Sequence, residues 1–187
     1  MDNGSLGCCF TGYRPEKFGF KLQDSDPLYR KLLERLTAAV NDRIESGCTN
    51  FYTGMARGFD IIAAEYIELI KRFNSKIKLI AVVPFKGQET SWEHEWQDRY
   101  NRLLAECNEV VTLYDSYQRG VYHARNRYMV DRSSSVIAYF DGKSGGTGNT
   151  VSYAENKGLD IINIYIEDLY GKQAENFEPY LKIYPPK

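Results

Sequence analysis

Short runs of β-branched and aromatic residues alternate along the chain with longer segments whose apolar residues recur at helical spacing. This alternation restricts the fold more than any other feature, because each crossover is long enough to place a helix between two parallel strands. The sequence therefore predicts an α/β, Rossmann-like fold: an open, mostly parallel sheet with helices on both faces. The predicted strands are residues 6–10, 50–54, 76–83, 109–114, 135–140 and 160–166, and the predicted helices are residues 26–47, 59–73, 91–107, 121–133 and 151–158.

The first predicted helix has the clearest end signals. Asp26 is a good N-cap, Pro27 suits the first helical position, and Gly47 is a natural stop. Apolar residues such as Leu32 and Leu36 recur at helical spacing between them. An amphipathic helix is therefore predicted between these signals.

The length of 187 residues favours one domain with a core of its own, and the stretch from Phe177 to Lys187 is expected to be a trailing tail. A formal net charge of -1 argues against a generally basic surface that coats nucleic acid. The first residues lack the basic and apolar regions of a signal peptide, and the longest apolar run, LIAVVPF, is too short to span a bilayer. We therefore expect a cytoplasmic protein without membrane contact.

The four cysteines are not arranged as metal ligands. Cys8 and Cys9 are adjacent, Cys48 and Cys107 lie far apart, and the sequence has no CxxC motif or Cys/His cluster. The sequence therefore predicts no metal site, and it favours small buried thiols in a reducing compartment.

Loops that contain glycine follow four of the predicted strands. TGYRP follows the first strand, TGMARGFD the second, PFKGQ the third and DGKSGGTGNT the fifth. Because ligands bind at the carboxyl ends of the strands in an open parallel sheet, we expect these loops to form one rim. Glycine lets backbone amides approach an anion, and the following helix adds unpaired N–H groups and a positive dipole end.

This rim is predicted to bind a ligand that carries phosphate. Thr147 and Thr150 offer hydroxyl donors, and the guanidinium groups of Arg14 and Arg57 suit bidentate contacts to phosphate. A single such loop is more often only a tight turn, but several on one edge beside arginines favour binding. The residues predicted to bind ligand from these loops are Thr11, Gly12, Arg14, Gly54, Arg57, Gly58, Pro84, Asp141, Gly145, Gly146, Thr147, Gly148 and Thr150.

Two familiar phosphate-binding motifs do not fit. The P-loop requires GK[ST] after its glycines, and the chain has no such tripeptide. The dinucleotide fingerprint G-x-G-x-x-G fails because Gly146 and Gly148 are followed by Val151 at the third position, after the fifth strand instead of the first. An ordinary hydride-transferring enzyme is therefore disfavoured.

The loops, taken together, resemble a known superfamily. GMARGFD resembles the GxARGxD loop of the Rossmann-like domain of DprA, also called Smf, and residues 124–158 resemble the block in which an RNR segment, a strand and a Gly-Thr loop follow in order. TGYRP, VPFKGQ and the short length resemble the YpsA family more closely, a stand-alone branch of the SLOG superfamily, over roughly Leu6 to Ile166. This resemblance implies a nucleotide or ADP-ribose-type ligand at the rim, bound by a sensor or regulator.

The relatives imply two alternative functions. LOG members of the superfamily cleave the N-glycosidic bond of nucleoside monophosphates with a GGxGTxxE loop, whose glutamate is missing here because Glu155 lies too far along the helix. No catalytic residue is therefore assigned, although a hydrolase would draw on Asp60, Asp141 or Glu93. DprA members load single-stranded DNA onto recombinase. Because 187 residues are expected to leave no room for their extra domains and the net charge is not positive, nucleic acid is the less favoured partner. A homo-oligomer is left open.

Three further residues join the predicted site through this resemblance: Asp60, Arg125 and Asn126. Asp60 is expected to cap the second helix, with contact to a ribose hydroxyl as the alternative. From spacing alone, an ordinary i,i+4 ion pair between Arg127 and Asp131 on a solvated helix face is favoured. The resemblance gives equal weight to the alternative, in which Arg125 or Asn126 faces the ligand and Asp131 holds an arginine in place.

Overall fold

The computed structural model describes residues 6–166, so the tail predicted from Phe177 to Lys187 lies outside the described residues. Within residues 6–166, six strands alternate with five α-helices. The strands are β1 (Leu6–Thr11), β2 (Cys48–Thr53), β3 (Lys78–Val83), β4 (Glu109–Thr112), β5 (Ser135–Ala138) and β6 (Asp160–Asn163). The helices are α1 (Pro27–Glu45), α2 (Phe59–Lys71), α3 (His94–Glu106), α4 (Val121–Val130) and α5 (Gly146–Asn156), and a 3₁₀ turn spans Pro15–Lys17.

The six strands are all parallel and form one sheet in the order β4-β3-β2-β1-β5-β6. The chain runs outward from β1 to β4 and then returns, placing β5 on the other side of β1. The strand order therefore reverses between β1 and β5, and a crevice forms at the carboxyl edge of such a reversal. The predicted α/β fold class is confirmed.

Helices cover both faces of the sheet. Leu36 of α1 and Ile61 of α2 are fully buried in one layer with Phe51 of β2. Met129 of α4 and Ala154 of α5 are buried in the opposite layer. Burying one large apolar side chain stabilises a fold by about 1.5–3 kcal/mol. The helices are therefore packed firmly against the sheet, and their ends keep fixed positions around the crevice. No helix in residues 6–166 combines the length and apolar character needed to cross a lipid bilayer.

The ends of α1 follow the sequence signals. The Asp26 carboxylate accepts a hydrogen bond from the Leu28 amide at 2.9 Å, and Pro27 is the first helical residue. Gly47 follows the helix with a φ of 91°, a left-handed conformation that glycine adopts without strain. These local predictions are confirmed.

The start of α5 differs from the prediction. The helix begins at Gly146, inside the glycine-rich loop, instead of at Val151. Glycine lowers helix propensity, which is why the segment reads as a loop. Tertiary contacts override that preference: the Thr147 hydroxyl donates to the Gly12 carbonyl at 3.1 Å, and Gly148 packs so tightly that a Cβ there would lie 2.9 Å from the Lys143 carbonyl oxygen.

Candidate functional site

A cavity of about 410 Å³, here called the rim cavity, lies at the carboxyl edge of the sheet beside the point where the strand order reverses. Its walls come from the loops after β1 and β5, the loop after β2 that leads into α2, and α4. The predicted residues that line it are Thr11, Gly12, Arg14, Asp60, Arg125, Asn126, Gly145, Gly146, Thr147 and Gly148. The predicted residues outside its lining are Gly54, Arg57, Gly58, Pro84, Asp141 and Thr150.

The first turn of α5 faces the rim cavity. Gly145 is the N-cap, with a φ of 147°, and no side chain caps this helix end. A Cβ at Gly146 would meet no heavy atom within 4 Å, so this position borders open space. The first amides of a helix have no partner within the helix and carry its positive dipole end. This end of α5 therefore offers free N–H donors to an anion.

Basic side chains surround that helix end. Arg14, Lys17 and Lys143 line the rim cavity. The Lys17 ammonium lies over the Tyr13 ring, 5.4 Å from its centroid, and a Cβ at Gly145 would be 4.0 Å from the same ammonium. Two carboxylates, Glu16 and Asp60, also line the cavity, but each is paired with an arginine, Glu16 with Arg57 and Asp60 with Arg125. Lys143 is paired with Asp141, so Arg14 and Lys17 are the cations that make the site favour a negatively charged ligand.

A buried ion pair forms the floor of the cavity. Arg125 and Asp60 are 7% and 6% exposed, and Arg125 Nη1 lies 3.4 Å from Asp60 Oδ2. The same nitrogen donates to the Gly54 carbonyl at 2.6 Å, whereas Arg125 Nε is buried without a hydrogen-bond partner. Burial raises the pKa of Asp60 and lowers the pKa of Arg125, and each charge opposes the shift of the other.

The expectation that Asp60 caps α2 is wrong. Gly58 is the N-cap, and Asp60 already lies in the first helical turn. Its carboxylate turns back toward the Ala56 amide, at 3.4 Å, and toward Arg125. The backbone geometry of glycine thus starts the helix, which leaves the Asp60 side chain to hold the arginine.

The two glycines after β2 lie where a larger residue would clash with neighbouring atoms. A Cβ at Gly54 would lie 1.8 Å from Arg125 Nη1, and a Cβ at Gly58 would lie 2.4 Å from the Tyr13 carbonyl oxygen. Pro84 is buried at the end of β3. The loop after β2 therefore approaches its neighbours closely, and it contributes Ala56 to the rim cavity.

Arg57 is held by two carboxylates. Its guanidinium lies 2.5 Å from Glu16 and 2.7 Å from Glu93. The Glu93 pKa is lowered, first by a hydrogen bond from its own backbone and then by Arg57. Arg14, by contrast, lines the cavity and stacks over the Tyr122 ring at 5.9 Å. The two arginines, for which the sequence predicts the same contact to phosphate, thus have different surroundings.

Both threonine hydroxyls of the glycine-rich segment donate within the protein. Thr147 donates to the Gly12 carbonyl, which ties the loop after β1 to α5. Thr150 donates to the Gly146 carbonyl at 2.9 Å and accepts from the Asn126 amide at 2.6 Å. Their proposed role as ligand donors stays a prediction, and in this structure they brace the first turn of α5.

Asp141 is not part of the lining of the rim cavity but contacts two residues that are. Its carboxylate accepts hydrogen bonds from the Tyr13 hydroxyl and from the Lys143 amide, and it pairs with the Lys143 ammonium at 2.9 Å. The Tyr13 hydrogen bond, the largest cause, lowers the pKa of Asp141 to about 2. Burial, followed by the hydrogen bond to Asp141, raises the pKa of Tyr13 to about 12. Asp141 therefore positions Tyr13 and Lys143, two groups that line the cavity.

The pairing predicted for Asp131 is wrong. Its carboxylate lies 3.0 Å from the Lys157 ammonium and accepts from the Tyr153 hydroxyl at 2.9 Å. Arg127 instead lies over the Tyr153 ring, 5.3 Å from its centroid. Contacts between α4 and α5 therefore replace the expected i,i+4 pair, and Asp131 holds no arginine of the rim.

The sequence analysis missed an aromatic surface at the mouth of the cavity. Tyr122 lines the cavity and is 37% exposed, and its ring contacts Phe85 at 6.1 Å and Tyr117 at 6.2 Å between centroids. Tyr122 precedes Arg125 by three residues, so helical spacing would have placed both on one face of α4. Lys17 and Lys143 were also missed, although each lies within or beside a loop that the sequence had singled out.

Comparisons with known proteins agree with this fold. The sequence model of the YspA SLOG family, named YpsA, matches residues 8–169. The uncharacterized SPbeta prophage-derived protein YoqJ of Bacillus subtilis (strain 168) is 28% identical over 143 residues, which cover 70% of this chain and 84% of that protein. A UPF0398 protein of Bacillus pumilus (strain SAFR-032) is 27% identical over 177 residues, which cover 91% and 92% of the two chains.

Solved structures of DNA processing protein A share the fold. The protein from Helicobacter pylori, described for its single-stranded DNA binding mode, superposes with a TM-score of 0.54 at 18% identity. The protein from Streptococcus pneumoniae superposes with a TM-score of 0.52 at 16% identity. The matches cover 85% and 83% of this chain but only 65% and 49% of those longer chains. At these identities the likeness establishes the architecture.

Proposed function

This chain belongs to the YspA SLOG family, and we propose that it binds a nucleotide or a nucleotide derivative of the ADP-ribose type in the rim cavity. The observation that carries the proposal is the first turn of α5, which opens at Gly146 into a cavity that Arg14, Lys17 and Lys143 also line. Helix amides and basic side chains are the groups that bind phosphate in proteins.

The rest of the cavity suits a nucleoside. The volume of about 410 Å³ falls within the range of small-molecule sites. Tyr122 presents a partly exposed ring on which a base can stack, and the Asn126 side chain offers an amide oxygen. The phosphate is placed at α5 and the base toward Tyr122 in this proposal.

The proposed role is that of a non-catalytic sensor or regulator in the cytoplasm. Of the carboxylates considered for hydrolysis, Asp60 is paired with Arg125, Asp141 with Lys143, and Glu93 with Arg57. Glu155 is exposed in the last turn of α5, the end opposite the cavity. The buried thiols of Cys8 and Cys9 suit a reducing compartment.

A binding experiment with a variant at Gly146 tests this proposal. Thermal-shift and calorimetric titrations would compare ADP-ribose, NAD, AMP and inorganic phosphate. Gly146→Val places a branched side chain into open space in front of the helix amides, so it should keep the melting temperature and abolish ligand-induced stabilisation. Glu155→Gln, on the same helix but away from the cavity, should bind as the wild type does. A folded wild-type protein that responds to none of the four ligands would refute the proposal.

A nucleoside monophosphate hydrolase is the second candidate, and Asp60 is the observation that favours it. Its carboxylate lines the cavity and burial raises its pKa, as in catalytic acids. Incubation with nucleoside monophosphates followed by chromatography of free bases distinguishes the two functions. Release of base by the wild type, lost in an Asp60→Asn variant that thermal melts show to be folded, would establish hydrolysis, whereas binding without release supports the sensor.

A further inference from the structure

A second cavity, here called the α4–α5 groove, lies between these two helices and has a volume of about 360 Å³. Its walls include Arg127 on α4, and Asn149, Ser152 and Asn156 on successive turns of α5. Among the described residues that line it, none is a carboxylate. The groove therefore offers amide, hydroxyl and guanidinium groups to a polar or anionic ligand.

The groove adjoins the rim cavity. His123 and Asn126 line both, so the two spaces meet across one turn of α4. Asn126 is fixed there because its amide donates to Thr150, whose hydroxyl donates to the Gly146 carbonyl. A ligand whose phosphate lies at the first turn of α5 would therefore reach the groove only by crossing the boundary that His123 and Asn126 form.

Charge in and around the groove favours the same ligand chemistry. Asp131, the carboxylate beside it, is paired with Lys157 and bonded to the Tyr153 hydroxyl. Arg127 and Lys157 lie over the Tyr153 ring at 5.3 and 5.4 Å, which holds this side of the groove in place. Asparagine amides suit the polar edges of bases and the hydroxyls of sugars.

From this geometry we propose that the site takes a ligand with two nucleoside units joined by phosphate, whose second unit lies in the α4–α5 groove. This inference rests on the proposed function, because the first unit occupies the rim cavity. A mononucleotide would fill one of the two spaces and leave the groove to water.

The test fills the groove without touching the rim cavity. Ser152 is exposed and lines the groove but not the rim cavity, and within residues 6–166 its side chain has no hydrogen bond or ion pair. Ser152→Phe therefore occupies the groove, and Ser152→Ala at the same position leaves it open. Calorimetry would measure AMP, NAD and a thymidine dinucleotide on each full-length variant. The last two ligands distinguish a pyrophosphate link from a phosphodiester link, and thermal melts confirm that the variants are folded.

Ser152→Phe is expected to weaken the preferred two-unit ligand about tenfold while AMP changes less than about twofold, and Ser152→Ala should bind like the wild type. Two results together would overturn the groove subsite: the wild type binds AMP and both two-unit ligands with equal affinity, and Ser152→Phe leaves these affinities unchanged. The proposed nucleotide site in the rim cavity would be unaffected by that outcome. Equal weakening of AMP by Ser152→Phe would also overturn the groove subsite. Failure of the wild type to bind AMP, NAD and the dinucleotide would overturn the groove subsite, and failure to bind ADP-ribose and inorganic phosphate as well would overturn the proposed function.

Discussion

Arg125 and Asp60 form an ion pair beneath the rim cavity, with Nη1 and Oδ2 3.4 Å apart and both side chains more than nine-tenths buried. The arginine also holds the Gly54 carbonyl, so it links α4 to the loop after β2. Both residues line the cavity and Arg125 Nε is buried without a hydrogen-bond partner, so the floor of the site keeps one unused donor.

Removing one member of this pair should destabilise the protein strongly. Arg125→Met leaves the Asp60 carboxylate buried without its partner, and we expect a loss of about 3–5 kcal/mol in the free energy of unfolding. The double variant with Asp60→Leu should cost less than the sum of the two single changes. Urea unfolding measures the stability of Arg125→Met, Asp60→Leu and the double variant. As a control, Lys86→Met breaks the exposed pair with Asp115 and should cost less than about 1 kcal/mol. Strict additivity of the two buried substitutions would contradict the pairing.

Substitution by alanine should destabilise the protein at Gly54 but not at Gly146. At Gly54 the new Cβ would lie 1.8 Å from Arg125 Nη1 and 2.8 Å from its Cδ, so Gly54→Ala displaces the arginine and should cost about 1–3 kcal/mol. At Gly146 the Cβ meets open space, and Gly146→Ala should change stability by less than about 0.5 kcal/mol. Chemical denaturation compares them directly, and a severe loss of stability at Gly146 would show that this residue is packed.

The sequence predicted those parts of the fold that depend on local chemistry. Asp26, Pro27 and Gly47 mark the ends of α1 through hydrogen bonding and backbone geometry within a few residues of each other. The order of the strands depends on which distant segments pair. Nothing near β5 in the chain determines that it lies beside β1, so the reversal of strand order could not be predicted.

The candidate site was predicted in part for the same reason. Gly145 and Gly146 were identified because several glycine-containing loops follow the strands on one edge of the predicted sheet, with arginines beside them. The different surroundings of Arg14 and Arg57 depend on Glu16 and Glu93, and Glu93 becomes a neighbour only when α3 packs beside α2. The Thr150 bond to the Gly146 carbonyl is an i to i−4 contact, which became predictable only once the true start of α5 was known.

Arg14 and Arg57 should contribute unequally to anion binding. Arg14 lines the cavity, so Arg14→Gln should weaken ADP-ribose about tenfold, the effect of losing one charge-assisted hydrogen bond. Arg57 is held by Glu16 and Glu93, so Arg57→Gln should change the affinity by less than about twofold. Lys76→Gln, an exposed change just before β3 and therefore at the opposite edge of the sheet, controls for net charge. Titration calorimetry measures each, and equal losses from both arginines would contradict this assignment.

Asp141 should make the stability of the protein sensitive to acid. Its folded-state pKa of about 2 lies below the ordinary value of 3.8, so it stabilises the fold fully above pH 4 and this contribution is lost as the pH falls toward 2. Tyr13→Phe removes the main cause of the shift and should raise the Asp141 pKa, while Asp141→Asn should flatten the stability profile between pH 4 and 2. Carboxyl NMR titration measures the Asp141 pKa in Tyr13→Phe, and urea unfolding at several pH values measures the stability profile of Asp141→Asn. Asp24→Asn, at an exposed position, is the control. An unchanged Asp141 titration in Tyr13→Phe would mean that the tyrosine hydroxyl does not hold this carboxylate.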